Sequence, residues 1–374
     1  LIKLASSAAG ESTVFPNSIA EAKSIIMEAN KKKIAIYPLG GGSKIQQILP
    51  EIQDGIILST KNLNKVIEYR PDNMSIEVEA GMRIEELSTF LAADNLFFPI
   101  YNNSPGETVG GLVASNSWGK KKYMYKSTRH YVLGLEFISP SGEVVKVGGR
   151  TIKNVSGYDI SQLLAGSWGH FGFITKVTLR LKPKPQTKLT MECKLSSIEA
   201  IKRIIPKIIS RGYRLSLLCY KSSGTEMLLQ IELEGLKDII DIQSAELAKE
   251  FGFYKTDIPL KVQEKMLFNV VLDLDNYLNG LDILQKWSGA NNFPYDLQGI
   301  ATNGTFEFNI SGEPYSEHIK ELSCSINNIG GTLYYQNNAI TNTDQQSYRK
   351  LLLNIKKKID SNMIFMASSK LLKE

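Results

Sequence analysis

KNVSGYDISQLLAGSWGHFGFIT, residues 153–175, sets glycines at positions 157, 166, 169 and 172, the last three at intervals of three inside an otherwise apolar run. Glycine in such a setting marks a special φ/ψ value, or a place where another group approaches the main chain closely. Two readings follow: a run of turns between a helix and a strand, or a backbone laid bare for a ligand. Other glycine-rich segments upstream decide between them.

The first is PLGGGSK, residues 38–44, which leaves the buried strand KIAIYPL. Consecutive glycines at a strand end can turn several N–H groups into one concavity, the chemistry of anion and phosphate binding. Ser43 adds a hydroxyl donor and Lys44 a positive charge. The second is SPGETVGGLVASN, residues 104–116, which ends in small residues suited to packing flat on a ligand. The commoner nucleotide motifs fail. G-x-G-x-x-G is missing, since 166–172 reads G-x-x-G-x-x-G, and the Gly119-Lys120 pair lacks the P-loop spacing.

In order and spacing, GGGSK, KNLNKVIEYRPDNMSIEVEAG, TVGGLVASNSWG and the long stretch from Arg129 to Thr175 resemble the FAD-binding domain of the vanillyl-alcohol oxidase / p-cresol methylhydroxylase (PCMH-type) superfamily. Within it the resemblance is nearest to the smaller, E-type FAD-binding subunits of glycolate oxidases, and it covers roughly residues 15–183. It implies an α+β fold: a PCMH-type domain of two α+β subdomains over residues 1–183, then an α+β cap domain with a mostly antiparallel sheet over 184–374. That second domain would serve substrate binding or subunit contact. KPKPQT, residues 182–187, is the expected boundary. Position by position, the resemblance implies FAD contacts at Gly40, Gly41, Gly42, Ser43, Lys44, Pro105, Gly106, Thr108, Val109, Gly110, Gly111, Ala114 and Ser115. In the third segment it implies Gly157, Gly166, Ser167, Gly169, Gly172 and Ile174. Lys153, Tyr158 and Asp159 fit the family's K-N-V-x-G-Y-D run and equally suit structural roles. FAD lying on this backbone, or the chain framing it, would leave no room for side chains at 166, 169 or 172.

Local patterns fill in the elements. A helix capped by Asn17 buries Ile19, Ala22, Ile25, Ile26 and Ala29, and RIEELSTFLAADN turns Ile84, Leu87, Phe90 and Leu91 inward. The stretch Tyr101–Lys122 reads as a long functional loop. Pro206 predicts a kink in SSIEAIKRIIPKIISRG.

A net charge of +6, from 44 basic and 38 acidic residues spread along the chain, lacks the concentrated basic face of a nucleic-acid binder. The densest cluster, Lys120, Lys121 and Lys122, reads as a solvated loop or a docking patch. No apolar stretch is long enough to span a bilayer, and LIKLASSAAGEST makes a poor signal peptide. Cys193, Cys219 and Cys324 are far apart, which excludes a self-contained cysteine-ligated iron–sulfur cluster, makes a zinc site unexpected and suits a reducing compartment. The expected location is cytoplasmic, or at the inner face of a membrane through partners. No metal site is expected.

The chain has three histidines, His130, His170 and His318. None lies in the first two loops, nor does a cysteine, so FAD is expected to be noncovalent. His170 stands where the family pattern usually has threonine, and reads as a packed residue or a hydrogen-bond donor to flavin. Related 2-hydroxy-acid dehydrogenases resemble one another in a histidine- and acid-rich segment of the second domain. Here that half has only His318, in a stretch read as solvent-facing, so the catalytic residues stay unassigned. The expected function is the FAD-binding subunit of a glycolate/D-lactate-type 2-hydroxy-acid dehydrogenase complex, passing electrons to an iron–sulfur subunit beside a larger flavin subunit. The alternatives are an electron-relay or scaffold subunit that never touches substrate, and a stand-alone FAD reductase of the same fold.

Overall fold

The computed structural model describes residues 5–6, 12–44, 55–100, 105–149, 160–223, 226–260, 266–312, 314–335, 338–340 and 346–366. Contacts divide the chain into two compact units, the first of residues 1–119, 127–184 and 345–374, the second of 120–126 and 185–344. Beside the boundary read near KPKPQT, this division adds two crossings: the last segment returns to the first unit, and 120–126 belong with the second.

The first unit holds two main sheets. In one, Ile36–Leu39 and Ser12–Val14 flank Ile56–Ser59 in parallel, with Ala5–Ser6 paired antiparallel to Ser12–Val14. Phe365 adds a parallel bridge to Ile36 on the outer edge. The helix Ile19–Lys32 seals this sheet, burying Ala22, Ile25, Ile26 and Ala29 against Ile36, Leu58 and Phe173. Its N-cap is Ser18 rather than Asn17: Ser18 Oγ accepts from Glu21 N at 3.1 Å, while Glu21 Oε2 accepts from Asn17 N at 2.8 Å. A Ser-x-x-Glu capping arrangement outcompeted the neighbouring asparagine.

The second sheet is antiparallel, in the order Val66–Arg70, Ser75–Glu79, Phe173–Arg180, Val132–Ile138, Val144–Gly148. Phe173–Arg180 occupies its centre because alternate residues, Phe173, Val177 and Leu179, are apolar and fully buried. The helix Ile84–Leu91 buries Ile84, Leu87 and Leu91, but Phe90 is exposed and meets Tyr69 edge-on at 5.0 Å. The segment expected to be a long loop, Tyr101–Lys122, contains the helix Val109–Ala114 and ends at the start of another, Lys122–Tyr125.

Among the described residues the second unit holds a nine-stranded antiparallel sheet in the order Tyr254–Lys255, Thr187–Leu195, Glu226–Gly235, Leu215–Ser223, Tyr295–Ile300, Thr305–Ile310, Phe268–Val271, Thr332–Tyr335, Asn338–Ile340. Helices Ile198–Ser210, Lys237–Phe251, Tyr277–Asn291 and Ser316–Asn328 share one apolar core with it, through Ile201, Ile240, Leu284 and Leu322 among others. Each such buried aliphatic side chain contributes about 1.5–3 kcal/mol. Pro206 sits inside a helix that runs unbroken from Ile198 to Ser210.

Strand alternation places Leu229, Ile231 and Leu233 in that core and turns Gln230, Glu232 and Glu234 the other way, where they are nonetheless buried. Lys121 bridges Glu232 and Glu234, Lys188 reaches Glu232 at 2.7 Å, and the Tyr125 hydroxyl donates to Glu234. The lysine cluster is therefore no uniformly solvated patch, since Lys121 is neutralised by carboxylates of its own unit.

Candidate functional site

The strand Ile36–Leu39 runs straight into Gly40–Lys44, and its parallel neighbour Ile56–Ser59 into Thr60. Against them lies the turn before the helix Val109–Ala114. A Cβ on Gly41 would sit 1.5 Å from the Gly106 carbonyl oxygen, and one on Gly40 would sit 2.4 Å from Thr108 Oγ1. The two loops thus touch main chain to main chain, a contact that side chains would prevent.

Thr108 caps the short helix by accepting from Gly111 N at 3.2 Å, while Val109 N and Gly110 N donate to the carbonyls of Met82 and Ala80 at 2.9 and 2.8 Å. The first-turn amides of that helix are therefore already used. By contrast, among the described residues no acceptor meets the N–H groups of Gly40, Gly41, Gly42 and Ser43.

The third segment is stitched to the second. Gly166 N and Trp168 N donate to the carbonyls of Val113 and Ala114 at 3.0 and 2.8 Å, and Arg129 Nη2 donates to Ala165 O at 2.7 Å. Gly166 and Gly169 take φ of +93° and +86°, where L side chains are strained, and a Cβ on Gly172 would lie 2.6 Å from Phe137 Cδ2. The bare backbone at Gly166, Gly169 and Gly172 is thus required by the chain that frames the site.

These segments line a cleft, part of it open to solvent. Of the residues named from sequence, Gly40, Gly41, Gly42, Ser43, Lys44, Thr108, Gly110, Gly111, Ala114, Ser115, Gly169, Gly172 and Ile174 line it. Pro105, Gly106, Val109, Gly166 and Ser167 do not. Gly106 and Val109 hold the loops in place, and Gly166 makes the turn onto the helix end. Gly157 lies outside the described residues, as do Lys153, Tyr158 and Asp159.

The lining also includes residues not singled out from sequence, chiefly Thr60, Glu107, Trp168 and Phe173. Three of these lie inside motifs already quoted. Thr60 lies in none; its signal is its place one residue past a strand parallel to the one feeding the glycine loop.

Polar groups in the cleft are incompletely matched. Lys44 Nζ donates to Glu107 Oε1 at 2.8 Å, yet Glu107 Oε2 and Thr60 Oγ1 are buried with no partner among the described residues. Unused amides, a lysine and unmatched oxygens around main-chain walls are what a phosphate-bearing, hydroxyl-rich ligand would satisfy.

Residues 11–148 match the family model of the FAD binding domain. Those residues form an FAD-binding domain, and FAD is its cofactor. The residues present fit that group: the free amides of Gly40–Ser43 and the Lys44 ammonium suit a pyrophosphate.

The chain is 36% identical over 171 residues to a D-lactate dehydrogenase of Archaeoglobus fulgidus, covering 46% of this chain and 38% of that protein. It is 29% identical over 201 residues to the glycolate oxidase subunit GlcD of Bacillus subtilis (strain 168), covering 54% of this chain and 43% of that protein. The chain thus spans less than half the length of these curated relatives. A solved alkyldihydroxyacetonephosphate synthase shares the fold over 97% of this chain and 76% of its own, with a TM-score of 0.73 at 16% identity.

The histidines stand apart from the cleft lining. His170 is buried beside Gly169, and its N–H donates to Ser167 O at 3.0 Å. His130 Nδ1 meets Ser127 Oγ at 3.2 Å. His318 is half-buried rather than solvent-facing: its Nδ1 accepts from Tyr315 N at 3.3 Å and its ring meets Phe293 at 5.3 Å. Among the described residues no group of three His, Cys, Asp or Glu side chains could hold a metal ion.

Proposed function

We propose that this chain is the FAD-bearing subunit of a 2-hydroxy-acid dehydrogenase complex of the glycolate/D-lactate type. The observation that carries this reading is the match of about half of this chain to a glycolate oxidase subunit and a D-lactate dehydrogenase, joined to a cleft whose donors suit FAD. When bound, FAD supplies a two-electron acceptor for the α-carbon of a hydroxy acid.

The chain's own part is to hold and orient. Gly40–Ser43 amides and Lys44 bind the pyrophosphate, and Thr108, Gly110, Gly111, Ala114 and Ser115 form the facing wall. Gly169, Gly172 and Ile174 close the third side. Among the described residues no histidine or cysteine lines the cleft, in keeping with noncovalent binding. With its three cysteines dispersed, electrons leave to a partner, by resemblance an iron–sulfur subunit, with a larger flavin subunit alongside. Among the described residues no helix is long and apolar enough to cross a membrane; a cytoplasmic place, or one at the inner membrane face through these partners, belongs to the same proposal.

One observation favours a second reading. The single histidine of the second unit is engaged at a helix start, leaving no histidine base there, as suits an electron-relay subunit whose partner performs the substrate chemistry.

The test is an anaerobic visible spectrum of the purified chain before and after D-lactate or glycolate. Bleaching of bound flavin makes this chain a dehydrogenase in its own right. Flavin that stays oxidised alone, but bleaches once partner subunits are added, assigns it the relay role. Flavin that no hydroxy acid reduces, with or without partners, overturns the proposal.

A further inference from the structure

We infer that Glu107 is a cofactor-binding residue that accepts a hydrogen bond from a sugar hydroxyl of FAD; the inference rests on FAD occupying the cleft lined by Gly40–Lys44. Glu107 is held rigidly, its carbonyl accepting from Ile84 N at 2.9 Å and the next residue, Thr108, bridging Arg83. Its side chain is 2% exposed, yet it lines the cleft. Oε1 accepts from Lys44 Nζ at 2.8 Å, while Oε2 is buried with no partner among the described residues.

Buried polar atoms are nearly always hydrogen-bonded, and an unmatched one costs about 1–3 kcal/mol, more when charged. An unmatched carboxylate oxygen on a residue that lines a ligand cleft therefore calls for a donor on the ligand. The pyrophosphate of FAD offers only acceptors and negative charge. The donors that flank it are sugar hydroxyls, ribityl on the flavin side and ribose on the adenosine side. A hydroxyl from either would complete Glu107, and the Lys44–Glu107 pair would present a net-neutral surface beside the phosphates.

A simpler role, that Glu107 only balances the charge of Lys44, makes the opposite forecast. Removing its negative charge would then free Lys44 and tighten binding of an anionic cofactor.

The experiment is flavin titration of the apoprotein of the full chain, wild type against Glu107→Gln, with FAD and with FAD analogues lacking either ribityl hydroxyls or the ribose 2′-hydroxyl. A hydrogen bond to a charged group predicts that Glu107→Gln weakens FAD binding by about tenfold to a hundredfold. One deoxy class should weaken wild type similarly and cause little further loss in the variant, because the two changes remove the same contact. The class that does so identifies the sugar. The wild-type arm stands even if the variant misfolds. Glu107→Gln binding FAD as tightly as wild type or tighter, or both deoxy classes binding wild type like FAD, overturns the inference. Wild-type protein that binds no FAD would instead refute the assignment of the cleft.

Discussion

Lys356 Nζ donates to the main-chain carbonyl of His170 at 2.6 Å. Lys356 has no exposed surface, and its remaining donors go to Phe365 O at 2.8 Å and Asp360 Oδ2 at 2.5 Å. Asp360 in turn accepts from Ile364 N and Phe365 N at 3.0 and 2.9 Å. His170 follows Gly169 of the cleft, and Ile364 and Phe365 lie beside Ile36, on the strand that feeds the glycine loop. The returning segment thus clasps two of the three walls. Burial lowers the Lys356 pKa, with Asp360 opposing.

Lys356→Met should destabilise the protein by about 3–5 kcal/mol, since removing one partner of a buried pair leaves the other charge uncompensated. Urea unfolding followed by circular dichroism checks the loss. Lys356→Met with Asp360→Asn should lose less than the sum of the single changes.

Gly41→Ala should prevent flavin retention, because its Cβ would meet the Gly106 carbonyl oxygen at 1.5 Å and backbone cannot step aside cheaply. Gly289→Ala is the contrast: Gly289 lies in the helix Tyr277–Asn291 with open space where its Cβ would go. There alanine should stabilise by up to about 1 kcal/mol through helix propensity. The ratio of flavin to protein absorbance, with the urea midpoint, reads both.

The contrast shows why the fold was legible and the site only partly so. Periodicity announced the strand Phe173–Arg180 and the helix Ile19–Lys32, because local burial patterns follow local sequence. The glycine segments announced three walls of a cleft for the same reason. Which residues face inward depended on how distant loops abut. Gly166 and Val109 turned out to bond the frame, while Thr60 and Glu107 reached the lining from a neighbouring strand end and from within a motif read for its glycines. The return of Lys356 to His170, 186 residues away in sequence, left no local pattern to read.

The Lys121 cluster of the second unit should give a stability plateau bounded on both sides. For Glu232, burial pushes the pKa up, but Lys121 and Lys188 bring it below its ordinary 4.5. Its contribution is complete above that value and is lost as pH falls through the lower folded value. For Lys121, burial pulls down, but Glu232 and Glu234 raise it above 10.5. Its contribution is complete below that value and is lost as pH rises through the higher folded value. Glu232→Gln should therefore lower the urea midpoint at neutral pH, with a deficit that shrinks in acid. Lys121→Met should do the same, with a deficit that shrinks in acid, as Glu232 loses its charge, and in strong alkali, where Lys121 itself would lose its own.

The most direct test of the central claim is acid precipitation of the purified, FAD-replete chain, with flavin measured in supernatant and pellet. The account expects a bound-flavin spectrum before precipitation, about one FAD per chain in the supernatant, and a colourless pellet. Protein that carries no flavin after incubation with FAD would contradict the cleft as a cofactor site, and flavin that stays with the pellet would contradict noncovalent binding.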